Sequence, residues 1–373
     1  MSSPKPFTLH VPDAAIADLN ERLVRTRWPD EPPARPWSTG TSLSYMQALV
    51  EYWRTGFDWR AWEAKLNDSR QFTVAIGGID LHFIHAQGRR PDATPLLLSH
   101  GWPGSVFEFH KLLPLLREDF TVIAPSLPGY TLSFRPGQRR FGIDEIADLY
   151  AELMAGVLGY PRFVAQGGDW GAFVASVLGL RHPNRVAGIH LNLLAVRRDP
   201  KMLANPTPEE RTFLAELEHF LKEETGYQWI QGTKPQTLAF GLSDSPAGLA
   251  AWIVEKFRSW TDCGETPEDA VSRDEMLANI SLYWFTGAIG SSFWPYYARM
   301  HGPWPIPIGT TVDVPMGYAQ FPKEILRPPR SLAEQSYSDI RRWSVMDKGG
   351  HFAALEQPEA LAREIREFFG SLR

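Results

Sequence analysis

The chain has 373 residues, of which 43% are apolar and 22% are charged, and its formal net charge is −5. This composition is typical of a globular protein, and the charge gives no reason to expect nucleic acid or anionic lipid as a partner. The single cysteine, Cys263, excludes an internal disulfide. Neither a signal-peptide pattern nor an apolar run of membrane-spanning length is present, so we expect a cytoplasmic protein without a membrane anchor.

The first part of the chain carries helical patterns. Ile16, Leu19 and Leu23 recur at helical spacing, and YMQALVEYW and DWRAWEAKLN continue the same pattern. Residues 1–71 are therefore predicted as a mostly helical N-terminal extension. From residue 72 onward, short β-like runs such as PLLLSH and FTVIAPSLPGY alternate with helical segments. This alternation predicts an α/β core, with a mostly parallel sheet covered by helices, over residues 72–195.

The strand–helix alternation stops near residue 196. Residues 196–300 show helical spacing, as in PEERTFLAELEHFLKEE, and the alternation resumes over residues 301–373 with VDVPMGYAQF and IRRWSVMD. An insertion after a middle strand lies above the carboxyl ends of the strands, where open α/β sheets bind ligands. Residues 196–300 are therefore predicted to form a helical lid.

The stretch QGGDWG, residues 166–171, joins the predicted strand RFVAQGG to a predicted helix. Gly167 and Gly171 frame Asp169 in a G-x-D-x-G pattern, which resembles a nucleophile elbow with aspartate in place of serine. The chain contains no G-x-S-x-G. Taken alone, Asp169 fits two interpretations equally well, a nucleophile or an ordinary helix cap.

Two residues in the last part of the chain could act with Asp169. His351 follows a glycine pair between the last predicted strand and the final helix, in nucleophile–acid–histidine order. Glu324 follows the preceding strand, and a carboxylate there can hold the imidazole in the tautomer that accepts a proton. Asp347 is nearer in sequence but is interpreted as a solvated acid at the end of a strand. His82 and His85 alternate across a strand and cannot share a metal, and we predict no metal site.

Backbone N–H groups are predicted to complete this site. The sequence HGWPG follows an apolar strand; read alone it is a turn, but beside Asp169 it can direct a backbone N–H at the site. The N–H groups of Trp102 and Trp170 would then form an oxyanion hole. We predict that these two groups stabilise a tetrahedral intermediate of ester hydrolysis.

A carboxylate nucleophile attacks sp³ carbon and leaves an ester that water must open. The electrophile could be an epoxide, whose opening is helped by tyrosine hydroxyls, or an alkyl halide, whose departure is helped by indole N–H groups. The predicted lid offers both kinds of side chain, with Trp170 beside it: Tyr227, Tyr283, Tyr296, Tyr297, Trp229, Trp252 and Trp284. Composition alone leaves the choice open.

The chain resembles the epoxide hydrolases of the α/β-hydrolase superfamily, in the branch with an extended N-terminal region that includes the microsomal and juvenile-hormone enzymes. The resemblance covers nearly the whole chain and includes YWRTGFDWRAWEAKLN, HGWPGS, GGDWG, GYQWIQGTKPQTLAFGLSDSPAGLAAWIVEKF, FPKEIL and GGHFAALEQPE. It implies an α/β-hydrolase fold whose N-terminal extension wraps around lid and core. It also implies that epoxide and water are the substrates and that no cofactor is used.

The resemblance assigns roles to five side chains. Asp169 becomes the nucleophile, His351 the base that activates water, and Glu324 its partner. Tyr227 and Tyr296 become the donors to the epoxide oxygen, although Tyr297, next in sequence, could replace Tyr296. Haloalkane dehalogenation and non-catalytic ligand binding are the alternatives. A role in detoxification, catabolism or biosynthesis and a homo-oligomeric state are all compatible with the sequence.

Overall fold

A nine-stranded sheet organises the protein, and the computed structural model describes residues 3–197 and 203–372. The strand order in the sheet is β1-β2-β3-β5-β4-β6-β7-β8-β9. The first three pairings in this order are antiparallel and the other five are parallel. The predicted, mostly parallel sheet is thereby confirmed. The strands are β1 (Lys5–Phe7), β2 (Gln71–Ile76), β3 (Ile79–Ala86), β4 (Thr94–Ser99), β5 (Phe120–Pro125), β6 (Phe163–Gly167), β7 (Val186–Leu191), β8 (Met316–Gln320) and β9 (Ile340–Val345).

Helices cover both faces of the sheet. Successive side chains along β4 point to opposite faces and therefore contact different helices. Leu96 and Leu98 join the apolar cluster under α4 (Leu112–Leu116) and α16 (Pro358–Gly370). Leu97 joins the cluster under α5 (Ile143–Glu152) and α6 (Trp170–Arg181). The helices are α1 (Asp13–Val24), α2 (Leu43–Thr55), α3 (Trp59–Asn67), α4 (Leu112–Leu116), α5 (Ile143–Glu152), α6 (Trp170–Arg181), α7 (Pro208–Glu223), α8 (Gly226–Thr233), α9 (Pro235–Asp244), α10 (Pro246–Trp260), α11 (Arg273–Thr286), α12 (Ile289–Ser292), α13 (Trp294–His301), α14 (Arg330–Ala333), α15 (Ala353–Glu356) and α16 (Pro358–Gly370).

The N-terminal extension contacts both the sheet and the lid. Its strand β1 pairs with β2 at the edge of the sheet, although the sequence predicted a mostly helical segment. The Tyr52 hydroxyl donates to Asp274 Oδ1 (2.7 Å), and the Trp53 indole N–H donates to Ser281 Oγ (3.1 Å), both on α11. These contacts fix the extension against the lid.

Seven α-helices, α7 to α13, lie between β7 and β8 in the described part of the chain, and the last of them ends at His301, one residue beyond the predicted lid. Residues 198–202, within that predicted segment, lie outside the described residues. The boundaries between the four predicted segments stay predictions. Across residues 3–197 and 203–372, none of the helices has the length and apolar character needed to cross a bilayer.

Candidate active site

Asp169 lies at a sharp turn between β6 and α6, with a φ of +47° and a ψ of −128°. A positive φ is uncommon for a residue with a side chain and marks a strained position. The flanking glycines make the turn sterically feasible. A Cβ at Gly167 would lie 2.1 Å from the Gly171 carbonyl oxygen, and one at Gly171 would lie 1.9 Å from the Ser99 carbonyl oxygen. The structure therefore gives a physical reason for each glycine of the G-x-D-x-G pattern.

We expect Gly171→Ala to lower the free energy of unfolding by about 3 kcal/mol or more, because the new methyl group meets rigid backbone of β4. Gly241, on α9, is the matched control, since a Cβ there meets no atom within 4 Å. Gly241→Ala should be neutral or stabilise the protein by ~0.5–1 kcal/mol. Denaturant titration of both variants measures the difference, and equal stabilities would contradict this account of the turn.

His351 lies between two carboxylates. Its Nδ1 is 2.6 Å from Glu324 Oε1, and its Nε2 is 3.4 Å from Asp169 Oδ2. A β-bridge between Lys323 and Gly350 brings together the loops that follow β8 and β9. The side chains of His351 and Glu324 are 2% and 0% exposed, and that of Asp169 is 16% exposed. The structure thus assembles the three residues that the sequence singled out.

The charges around His351 change its protonation. Burial alone would lower the pKa of the imidazole, but the carboxylates of Glu324 and Asp169 outweigh burial and raise that pKa to about 10. His351 is therefore protonated at neutral pH in the free protein and forms ion pairs with both acids.

This raised pKa predicts a pH-dependent contribution to stability. A group with a higher pKa in the folded state stabilises that state fully below its unfolded pKa, near 6.5, and loses this effect as the pH rises through its folded pKa, about 10. We therefore expect the difference in Tm between the wild type and His351→Gln to be largest near pH 6 and to shrink towards pH 10. Thermal unfolding across that range measures it, and a constant difference would contradict the pairing.

One oxygen of Asp169 is held by the loop after β4. The Trp102 backbone N–H donates to Asp169 Oδ1 (2.8 Å). A Cβ at Gly101 would lie 2.2 Å from the same oxygen, so glycine there permits the close approach. Trp170 is the first residue of α6, and the contribution of its N–H to an oxyanion hole stays a prediction.

The lid places two of its tyrosines above Asp169. Tyr227 on α8 and Tyr296 on α13 are buried, their rings lie 5.7 Å apart edge to face, and both line a cleft that also contains Asp169. Tyr297 instead stacks on Trp294 and His301. Burial, reinforced by Tyr227 and Asp169, raises the pKa of Tyr296 well above its usual range, so its hydroxyl retains its proton.

The other tyrosine and tryptophans singled out in the lid have structural contacts. The Tyr283 hydroxyl donates to the Gly104 carbonyl oxygen (2.7 Å), and the Trp252 indole donates to Gln231 Oε1 (3.0 Å). The guanidinium group of Arg22 lies over the Trp284 ring. Trp229, by contrast, is exposed at the cleft.

The cleft has a volume of about 950 Å³ including its open mouth. Apolar and aromatic side chains dominate its wall beyond Asp169 and the tyrosines: Trp170, Phe173, Leu221, Trp229, Met300, Trp304 and Ile325. Such a surface suits an apolar molecule that fits between the lid and the sheet.

The histidine loop is also held by residues that the sequence analysis missed. The His351 backbone N–H donates to the Trp260 carbonyl oxygen (2.8 Å) at the end of α10. The Glu356 carboxylate accepts backbone N–H bonds from Asp262, Gly350 and Phe352. This carboxylate thus joins the lid to the histidine loop. The only local sign of it in the sequence is the acid at the end of GGHFAALE.

The remaining sequence candidates lie away from this cluster. His82 is hydrogen-bonded to Ser126 and Gln71, and His85 to Tyr160. Asp347 is exposed, as expected for an acid at the end of a strand. No set of three or more His, Cys, Asp or Glu side chains suitable for a metal occurs within residues 3–197 and 203–372.

Comparison with known proteins decides the family. The family models for the epoxide hydrolase N terminus and for the alpha/beta hydrolase fold match residues 4–109 and 94–244. A protein of Stigmatella aurantiaca, provisionally named an epoxide hydrolase, is 46% identical over 99% of this chain and 85% of its own length. This chain belongs to the epoxide hydrolase family. Epoxide hydrolase 1 of Sus scrofa is 36% identical over 99% of this chain and 89% of its own length.

Solved epoxide hydrolase structures agree with this assignment. The enzyme of Aspergillus niger superposes with a TM-score of 0.86 at 32% identity, covering 100% of this chain and 97% of its own. The juvenile hormone epoxide hydrolase of Bombyx mori superposes with a TM-score of 0.89 at 31% identity, covering 100% and 95%. The predicted α/β-hydrolase fold and the epoxide hydrolase family are thereby confirmed. The N-terminal family model extends to residue 109, beyond the predicted segment 1–71 and into the core.

Proposed function

We propose that this epoxide hydrolase converts an epoxide into a vicinal diol through an ester on Asp169. The observation that carries the proposal is the placement of one carboxylate between a buried histidine, 3.4 Å away, and a cleft lined by two tyrosines. This arrangement provides a nucleophile, a base and acidic donors around one reacting carbon.

Ring opening is the first step. Oδ1 of Asp169 is held by the Trp102 N–H, and the other oxygen, Oδ2, attacks an epoxide carbon as the bond from that carbon to the ring oxygen breaks. Tyr227 and Tyr296 hydrogen-bond the ring oxygen, and one of them transfers its proton to the developing alkoxide. The high pKa of Tyr296 keeps this proton in place until substrate binds.

Hydrolysis of the ester is the second step. Esterification removes the charge of Asp169, which is one of the two anions that raise the pKa of His351. The imidazole then gives its proton to the tyrosinate, which restores the tyrosine. The neutral imidazole can now act as a base. Water gives a proton to Nε2 and attacks Cγ of Asp169, while Trp102 and Trp170 stabilise the oxyanion. The bond from Cγ to the original Oδ2 breaks, and the diol leaves with the proton from His351. The new carboxyl group of Asp169 then gives its proton to Nε2, which regenerates the carboxylate and the imidazolium.

The apolar wall of the cleft favours an apolar epoxide. Epoxide and water are the only reactants in this scheme, and it needs no cofactor. The proposed location is the cytoplasm, and a homo-oligomer is compatible with the scheme.

The decisive experiment is intact-mass spectrometry of His351→Gln after mixing with styrene oxide and, separately, with 1-chlorobutane. Without its base the protein should accumulate an ester whose added mass equals the whole epoxide, and Asp169→Ala should remove that adduct. An adduct from the chloroalkane alone would point to the dehalogenase alternative. If no adduct forms from either compound while the wild type converts styrene oxide, the proposed covalent step is wrong.

A further inference from the structure

A second, smaller cavity adjoins Asp169. It leaves about 20 Å³ for the centres of water molecules, which is room for a single ordered water. Among the described residues, Asp169 is the one that lines both this cavity and the lid cleft. His351 also lines the small cavity but not the cleft. Because an epoxide bound to Asp169 would lie on the cleft side of the carboxylate, the small cavity on its other side offers a separate place for the water that attacks the ester.

Three polar side chains of this cavity lie outside the proposed catalytic set. They are Glu108, in the turn after β4, Gln166 on β6, and Asn192, which follows β7. Gln166 Nε2 donates to Asn192 Oδ1 (2.8 Å). Its other end, Oε1, is buried and has no hydrogen-bond partner among the described residues. An unpaired amide oxygen in a water-sized cavity is the kind of group that an ordered water satisfies.

The fold makes room for the carboxyl group of Glu108. A Cβ at Gly104 would lie 2.3 Å from Glu108 Oε2, so a residue with a side chain at this position would push the carboxyl group away. Burial, reinforced by the charge of Asp169 and opposed by His351, raises the pKa of Glu108 to about 8. The group is therefore mostly protonated at neutral pH and can both donate and accept a hydrogen bond.

We propose that this cavity is the binding site of the hydrolytic water and that Glu108, together with Gln166, holds that water against His351. This inference rests on the proposed ester mechanism. The water donates one proton to Nε2 of His351, and its oxygen forms the bond to Cγ of Asp169. The bond from Cγ to the original Oδ2 breaks, and that oxygen leaves with the diol and takes the proton from His351. The new carboxyl group of Asp169 then gives its proton to Nε2. Glu108 and Gln166 contribute hydrogen bonds and undergo no net change.

The test separates the two chemical steps with styrene oxide in rapid-quench mass spectrometry. In Glu108→Leu we expect ring opening to stay within about threefold of the wild type, while ester hydrolysis slows by at least about tenfold because the water is misplaced. The ester should then dominate in the steady state. Glu108→Gln should restore most of the rate, since an amide both donates and accepts.

Gly104→Ala is a second variant, which keeps Glu108 but displaces its carboxyl group, and it should slow hydrolysis in the same selective way. It keeps the proposal testable if Glu108→Leu does not fold. An unchanged hydrolysis rate, an equal loss in both steps, or a Glu108→Gln variant as slow as Glu108→Leu would overturn the proposal. If the ester mechanism itself were wrong, the experiment would give a different result, because no adduct would form even in His351→Gln.

Discussion

Asp169→Ala should lower kcat for an epoxide such as styrene oxide by at least ~10⁴-fold, because the variant has no group that can form the ester. Alanine also avoids placing a new polar group beside His351. The φ of +47° at this position strains alanine and aspartate alike. The substitution therefore adds little backbone strain, and we expect the variant to fold. Steady-state assays of diol formation at saturating substrate measure the effect.

Asp347→Ala is the matched control for this substitution. It removes an exposed carboxylate that precedes the histidine loop, and its activity should equal that of the wild type. If Asp169→Ala kept a tenth or more of the wild-type kcat, the ester mechanism would be wrong.

Removing both hydroxyls, in Tyr227→Phe/Tyr296→Phe, should slow ring opening by up to ~10⁴-fold, since no acid then meets the developing alkoxide. Each single variant should lose less, roughly 10- to 10²-fold, because the remaining tyrosine still donates to the same oxygen. Single-turnover formation of the ester measures this step directly. Both rings stay packed, so the thermal stability of the variants should change little.

Tyr297→Phe is the matched control, because Tyr297 adjoins Tyr296 in sequence but stacks on Trp294 and His301 rather than lining the cleft. Its ring-opening rate should be that of the wild type. A large loss of the ring-opening rate in Tyr297→Phe, with no loss in Tyr296→Phe, would show that Tyr297 is the donor in place of Tyr296. Full activity in the double variant would contradict acid assistance by the lid.

The sequence predicted the core of the site because the signals were local. A glycine-framed acid between an apolar strand and an apolar helix indicates an elbow, and the order of Asp169, Glu324 and His351 indicates which loops meet above a parallel sheet. The structure brings these three side chains together. Asp347, nearer to His351 in sequence, lies exposed, so chain topology was a better guide than sequence distance.

Other features depend on tertiary contacts that no local pattern records. Strand β1 has three residues, one of them proline, and forms only because β2 offers an edge. Composition could not show which lid tyrosines line the cleft. Tyr227 does so, whereas Tyr283 donates to a backbone carbonyl, and this difference depends on the tertiary structure. Glu108 has no distinctive local signal in the segment SVFEFHKLL, and only the fold places it with His351 and Gln166 around one cavity.

The central claim is that Asp169, and not water, attacks the epoxide. A single turnover in water labelled with ¹⁸O, with the wild-type enzyme in excess over styrene oxide, tests it most directly. Because one diol oxygen comes from the epoxide and the other from Asp169, we predict an unlabelled diol and one heavy oxygen in the peptide that contains Asp169. A labelled diol with an unlabelled peptide would show direct attack by water and would contradict the account.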